Sequence, residues 1–134
     1  MEIKYPREDR VWGHYLRLFE DGAVKLKELV IEPGKGISYQ RHFKRSEIWF
    51  VSKGRCYVKH ARDTNTPDQF SNILLETDDV IPIRAEEWHQ IYNPFDTPCH
   101  IIEIQYGQET SEDDIERLEY YLDNEVLQSH SESV

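Results

Sequence analysis

Gln40, His42 and Glu47 place an amide, an imidazole and a carboxylate within eight residues of one another. Gln40 and His42 are two apart, so on a strand both side chains leave from the same face. Glu47 opens the apolar run Glu47-Ile48-Trp49-Phe50-Val51-Ser52 after the polar turn Phe43-Lys44-Arg45-Ser46, and the two runs read as a metal-binding β-hairpin. His89 offers a fourth donor, in Glu87-Trp88-His89-Gln90-Ile91-Tyr92-Asn93-Pro94, where alternation puts His89, Ile91 and Asn93 on one face. Imidazole nitrogens with carboxylate and amide oxygens suit a divalent metal ion: zinc first, or manganese, cobalt, nickel or iron. His14, His60, His100 and His130 lack this company and read as surface or hydrogen-bonded residues.

The elements that must carry these residues are strands. Period-2 segments follow one another at 24–31, 47–52, 55–60, 79–83, 89–92 and 101–106, which gives an all-β expectation. Pro33-Gly34, Lys53-Gly54, Asn65-Thr66-Pro67-Asp68 and Asn93-Pro94 are the turn signals between them. The runs on either side of Lys53-Gly54 are expected to form the tightest hairpin. One segment breaks the pattern: Ser111 followed by Glu112, Asp113 and Asp114 reads as a helix N-cap with acids in the first turn. Ile115, Leu118, Leu122 and Val126 fall on one stripe after it, so a C-terminal α-helix is expected over about 111–127, packed on the sheets.

Composition narrows the function classes. A chain of 134 residues without repeats or linkers is expected to be one domain. Its net charge of −10 argues against nucleic acid, although nine of the 26 acids lie from Glu109 onward and leave the remainder nearly neutral, which admits a small phosphorylated ligand. No apolar run is long enough to span a membrane, and the charged start lacks a secretory pattern, so no membrane partner and a cytoplasmic location are expected. Cys56 and Cys99 read as reduced, buried thiols. Trp12, Trp49 and Trp88 read as core or pocket-wall aromatics. The chain has no glycine-rich phosphate loop, nucleophile elbow or dinucleotide fingerprint.

The spacing Gly34-x5-Gln40-x-His42-x4-Glu47-x6-Gly54 resembles the first cupin motif, with Gln in place of its first His, and Pro82 followed by His89-x3-Asn93 resembles the second. Ser38-Tyr39-Gln40-x-His42-x-x-Arg45-x-Glu47-x-Trp49 is similar to the signature of the type II mannose-6-phosphate isomerase domain. Arg10-Val11-Trp12-Gly13-His14-Tyr15, Ile102-Glu103-Ile104-Gln105-Tyr106-Gly107 and Glu112-Asp113-Asp114-Ile115 resemble its flanking segments. Ile48 stands where that family usually has His, and the tail after Arg117 departs from its pattern.

The resemblance implies a double-stranded β-helix, or jelly-roll barrel, over about 10–107, and a homodimer. It implies metal-dependent interconversion of mannose 6-phosphate and fructose 6-phosphate, or of a related sugar phosphate, through an enediol. A non-catalytic sugar-binding or regulatory metal cupin is the alternative. In either case Gln40, His42, Glu47 and His89 would hold the metal. Lys27, Arg45 and Glu103 are the expected catalytic residues around the sugar, with Lys25 and Arg84 as further cations for its phosphate.

Overall fold

In the segment Val24–Ile31 the side chains of Lys25, Lys27, Leu29, Val30 and Ile31 are buried while those between are half-buried, the alternation of a strand with one face on a core. The computed structural model describes residues 4–121, and all of its regular elements are strands of this kind. In chain order they are β1 (Arg7–Arg10), β2 (Gly13–Asp21), β3 (Val24–Ile31), β4 (Lys35–Gly36), β5 (Tyr39–Arg41), β6 (Arg45–Lys53), β7 (Cys56–Ala61), β8 (Ser71–Leu75), β9 (Val80–Ile83), β10 (Trp88–Asn93), β11 (Cys99–Gly107) and β12 (Glu116–Glu119). One sheet has the order β1-β2-β3-β11-β6-β9 and the other β12-β5-β10-β7-β8, with β4 beside β10. Every pairing is antiparallel, as in a jelly roll. No helix of the described residues is long and apolar enough to cross a membrane.

Two local expectations are corrected by this topology. β5 and β6 lie in different sheets, and so do β6 and β7, so neither the ligand-bearing segment nor the Lys53-Gly54 turn forms a hairpin. The Lys53-Gly54 turn carries the chain from one sheet to the other. Gly54 allows this at φ 81°, where a Cβ would sit 2.6 Å from the Pro98 carbonyl oxygen. The C-terminal helix is also corrected. Residues 111–115 form turns and Glu116–Glu119 is β12, paired with β5 at Arg117↔Gln40. Leu118, assigned to a buried stripe, is 53% exposed. Leu122 and Val126 lie outside the described residues.

The inward faces of the two sheets change character at one level. On β3 they run from Lys25 and Lys27 to Leu29 and Ile31; on β11, from Gln105 and Glu103 to Ile101 and Cys99; on β6, from Arg45 and Glu47 to Trp49 and Val51. β7 and β10 match, with Val58 and Ile91 leading to His60 and His89. One end of the barrel is therefore a continuous apolar core that includes Trp12, Ile37 and the free, buried Cys56 and Cys99. The other is polar and buried. Trp88 is buried outside the main core, with Tyr39 and Ala61.

Candidate metal centre

Both sheets contribute to the polar end. Gln40 of β5 lies directly opposite His89 of β10, and His42 immediately follows β5, so one sheet supplies an amide and two imidazoles. β6 of the facing sheet supplies Glu47. Donor atoms of His42, Glu47 and His89 all lie within 4.8 Å of one another, and all three residues are buried. Glu47 Oε2 is 3.7 Å from His42 Nε2, and Glu47 Oε1 is 3.4 Å from His89 Nε2.

The chemistry of this trio follows from where its other atoms are tied. His42 Nδ1 is 2.7 Å from the Asp114 carbonyl oxygen, and His89 Nδ1 is 2.9 Å from that of Glu87. A carbonyl can only accept, so each Nδ1 carries the proton and each Nε2 turns a lone pair inward, the tautomer that ligates metal. His89 Nε2 and Glu47 Oε1 have no hydrogen-bond partner among the described residues. With both imidazoles neutral, two buried acceptors face each other there, an arrangement that is unfavourable until a cation lies between them. The residues therefore fit a divalent metal ion.

Charge is arranged to suit. Burial pushes the His42 imidazole down to about 3, against the pull of Glu47, so it is neutral over the working pH range. Burial, the largest single influence, would raise the Glu47 carboxyl, but Arg45, His42 and His89 together outweigh it, and the carboxyl is held well below the usual carboxylate range. Arg45 donates from Nε and Nη2 to Glu47 Oε2 at 3.1 and 3.0 Å, and its Nη2 also lies 3.1 Å from His42 Nε2. Gln40 reaches the cluster with its amide nitrogen, 3.3 Å from His42 Nε2, while Ser38 Oγ donates to its oxygen at 2.7 Å. A half-turn of the amide presents the oxygen instead, with Ser38 accepting.

Lys27 and Glu103 lie opposite each other on β3 and β11, and Glu103 also lies opposite Trp49 on β6. Trp49 Nε1 donates to Glu103 Oε2 at 2.9 Å, and Gln105 Nε2 to Glu103 Oε1 at 2.6 Å. Burial and then the charge of Glu47 push the Glu103 carboxyl up to about 8. Burial lowers the Lys27 ammonium, while Glu103 and Glu112 oppose the shift. Lys27 Nζ is 2.8 Å from Glu112 Oε1, and Lys25, buried beside it, reaches the same oxygen at 3.3 Å and the Thr110 carbonyl at 2.9 Å. Trp49 closes the metal side, its ring edge-on to His89 at 5.3 Å.

Sequence reasoning brought together Gln40, His42, Arg45, Glu47, His89, Lys27 and Glu103, and the fold places all seven at this end. It missed the segment after β11 that covers them. Glu112 clamps both lysines. The Asp114 carbonyl orients His42, while its carboxylate accepts from Phe43 N and Lys44 N at 3.0 and 2.8 Å. It also missed the position of His60, which is buried and lies opposite His89 in the register of β7 and β10. The signal was available, because Cys56, Val58 and His60 alternate.

Comparison with known proteins agrees with this geometry. The family model described as "Mannose-6-phosphate isomerase C-terminal" matches residues 4–120. The chain belongs to that family. Among curated relatives, the alginate biosynthesis protein AlgA of Pseudomonas aeruginosa is 37% identical over 111 residues, covering 82% of this chain and 21% of its own. The mannose-1-phosphate guanylyltransferase of Escherichia coli K12 is 32% identical over 109 residues, covering 81% and 21%. The chain thus spans about a fifth of the length of these relatives. Among solved structures, the capsular polysaccharide assembling protein CapF of Staphylococcus aureus aligns with a TM-score of 0.71 at 15% identity, over 87% of this chain and 35% of that one. That likeness extends to the fold, a cupin barrel. The relatives' names correct one expectation: they denote nucleotide transfer and polysaccharide biosynthesis, so an isolated isomerase of mannose 6-phosphate and fructose 6-phosphate is not what the family members support.

Proposed function

We propose that this chain is a metal-holding cupin module of mannosyl sugar-nucleotide biosynthesis that receives a sugar phosphate at the polar end of its barrel. The observation that carries the reading is the pair of imidazoles, each fixed through Nδ1 by a backbone carbonyl, turned with the buried Glu47 carboxylate onto one point. Family membership and the relatives' names support the sugar class. His42, Glu47 and His89 would hold the ion, with the Gln40 amide oxygen as fourth donor after its half-turn. Zinc is the first choice for this donor set. Such an ion supplies Lewis-acid polarisation of a bound carbonyl or hydroxyl oxygen. The chain's own residues supply the rest: Trp49 walls the site, Arg45 balances the carboxylate, and Glu103 holds a proton at neutral pH beside Lys27. The reading includes a homodimer, which sedimentation of the purified chain tests.

The decisive experiment reconstitutes the purified chain with zinc, manganese, cobalt or nickel, measures metal by elemental analysis, and titrates mannose 1-phosphate, mannose 6-phosphate and mannose by calorimetry. About one ion per chain is expected, with binding of a phosphorylated sugar to the metal-loaded form. Absence of metal after reconstitution overturns the metal centre. Absence of phosphosugar binding with metal present overturns the ligand class.

A further inference from the structure

Of the four cations that sequence reasoning offered to a phosphate, Lys25, Lys27 and Arg45 are buried and committed to partners, the lysines to Glu112 and Arg45 to Glu47, which leaves Arg84. A phosphate group would have to displace those carboxylates. Elsewhere at the same end, Arg62 and Arg84 have no side-chain hydrogen bond or ion pair among the described residues, and both line one hollow of about 260 Å³ with His60, Ile81, Pro82 and Glu87. A second hollow of about 310 Å³ adjoins it at His60 and Arg62.

This hollow lies against the metal centre. Its floor is His60, buried and opposite His89 across the β7–β10 ladder, where facing side chains stand about 5 Å apart. Its wall is β9, whose Ile81 and Ile83 lie opposite Trp49 and Glu47. The carboxylates around it are already engaged. Glu87 Oε1 lies 3.0 Å from His60 Nε2 and accepts from the Arg84 backbone N–H at 2.7 Å, and Asp63 Oδ1, at the second hollow, accepts from Asn65 N at 3.0 Å. The Glu87 bond closes the turn from Arg84 to Glu87, which also holds Glu87 N on the Arg84 carbonyl at 3.1 Å and fixes the backbone from which the Arg84 guanidinium projects. Two unpaired guanidiniums beside a polar floor are a phosphate receptor in charge and in fork geometry.

We infer that Arg62 and Arg84 form a phosphate-binding subsite at the mouth of the barrel, beside the metal centre, and that it takes the phosphate of a phosphorylated sugar whose ring lies toward His89 and Trp49. The inference rests on the proposed ligand class, but its ligand chemistry is separable from the metal. The test titrates inorganic phosphate and mannose 1-phosphate into the metal-loaded full chain and into Arg62→Gln, Arg84→Gln, the double variant and Lys53→Gln, an exposed charge-loss control at the apolar end. Expected are a loss of at least about tenfold in affinity for both ligands in each arginine variant, as for removal of a charge-assisted hydrogen bond, and no change in Lys53→Gln. Metal content and melting temperature should match the parent throughout, since both arginines are exposed and bind no ligand residue.

The outcomes separate the two readings. Phosphosugar binding that survives both arginine substitutions overturns the subsite and leaves the proposed function standing. Arginine-dependent binding of inorganic phosphate without phosphosugar binding supports the subsite and overturns the sugar. A loss in Lys53→Gln equal to that in the arginine variants assigns the effect to net charge and overturns the subsite, as does failure of the parent to bind either ligand.

Discussion

Replacing Glu47 with Gln keeps the shape of the metal centre and removes one charge, which makes the arrangement of Arg45 around it measurable. In the parent, Arg45 and Glu47 are 0% and 1% exposed at the side chain and meet at 3.0 Å. With an effective dielectric near 20, a unit pair at that distance is worth roughly 5 kcal/mol, and the desolvation of Glu47 recovered in the variant offsets part of it. A net loss of about 3 kcal/mol follows, because a buried cation loses the carboxylate that accepts from its Nε and Nη2. For a chain of this size that corresponds to a melting temperature lower by about 10 °C. The assay is thermal unfolding in chelator, so that metal does not enter, with Arg45→Met and the double variant completing the cycle. Arg45→Met/Glu47→Gln should recover at least half of the loss, since the buried cation is gone along with its carboxylate. A metal-free Glu47→Gln protein that melts within about 2 °C of the parent refutes the reasoning, because a buried pair of this geometry cannot be broken at so little cost.

The metal-free protein should also be most stable on a plateau between about pH 4.5 and 6.5. The depressed His42 contributes stability that is present above its unfolded value of 6.5 and lost as pH falls toward about 3, at most about 5 kcal/mol. The raised Glu103 contributes stability that is present below 4.5 and lost as pH rises through about 8, so Glu103→Gln should flatten the alkaline side of a melting-temperature profile. Asp114→Ala removes the acceptor for two backbone N–H groups and loosens the carbonyl that orients His42. It should cost about 1–2 kcal/mol in denaturant unfolding and at least about tenfold in metal affinity by competition with a chelator. Leu118→Ala should change the unfolding free energy by less than about 0.5 kcal/mol, since the side chain is already half in water; a loss of about 2 kcal/mol or more would restore the buried-stripe reading.

How much of this was legible in the sequence depends on how local its cause is. Strand β3 was read at both ends because its alternation and the Pro33-Gly34 turn lie within one segment. The trio His42, Glu47 and His89 was legible because its spacing is fixed by the strands that bear it. The pairing of those strands was not: β5 and β6 are near neighbours in sequence, and only packing of two sheets places them apart. The error over residues 111–115 has the same origin. Ser111 to Asp114 have the local chemistry of a helix start, but their groups find partners across the barrel instead, with Glu112 on two buried lysines and Asp114 on the turn after His42. Tertiary contacts outbid the intrinsic preference. The Asp114 carbonyl could not have been found at all, because a backbone oxygen leaves no mark in the residue sequence.

The level at which every inward strand face turns from polar to apolar has a consequence for how the molecule opens. Breathing motions follow local stability, and the two ends of this barrel differ in it by composition. Amides beside Leu29, Val51, Val58, Ile91 and Ile101, in the apolar core, are expected to be the slowest to exchange with solvent. Those of residues 110–115 and of the turn from Arg84 to Glu87, held by ion pairs and turn hydrogen bonds and not by the apolar core, should exchange at a lower opening free energy. The barrel is thus expected to open from its polar rim first, while its apolar base holds the two sheets together.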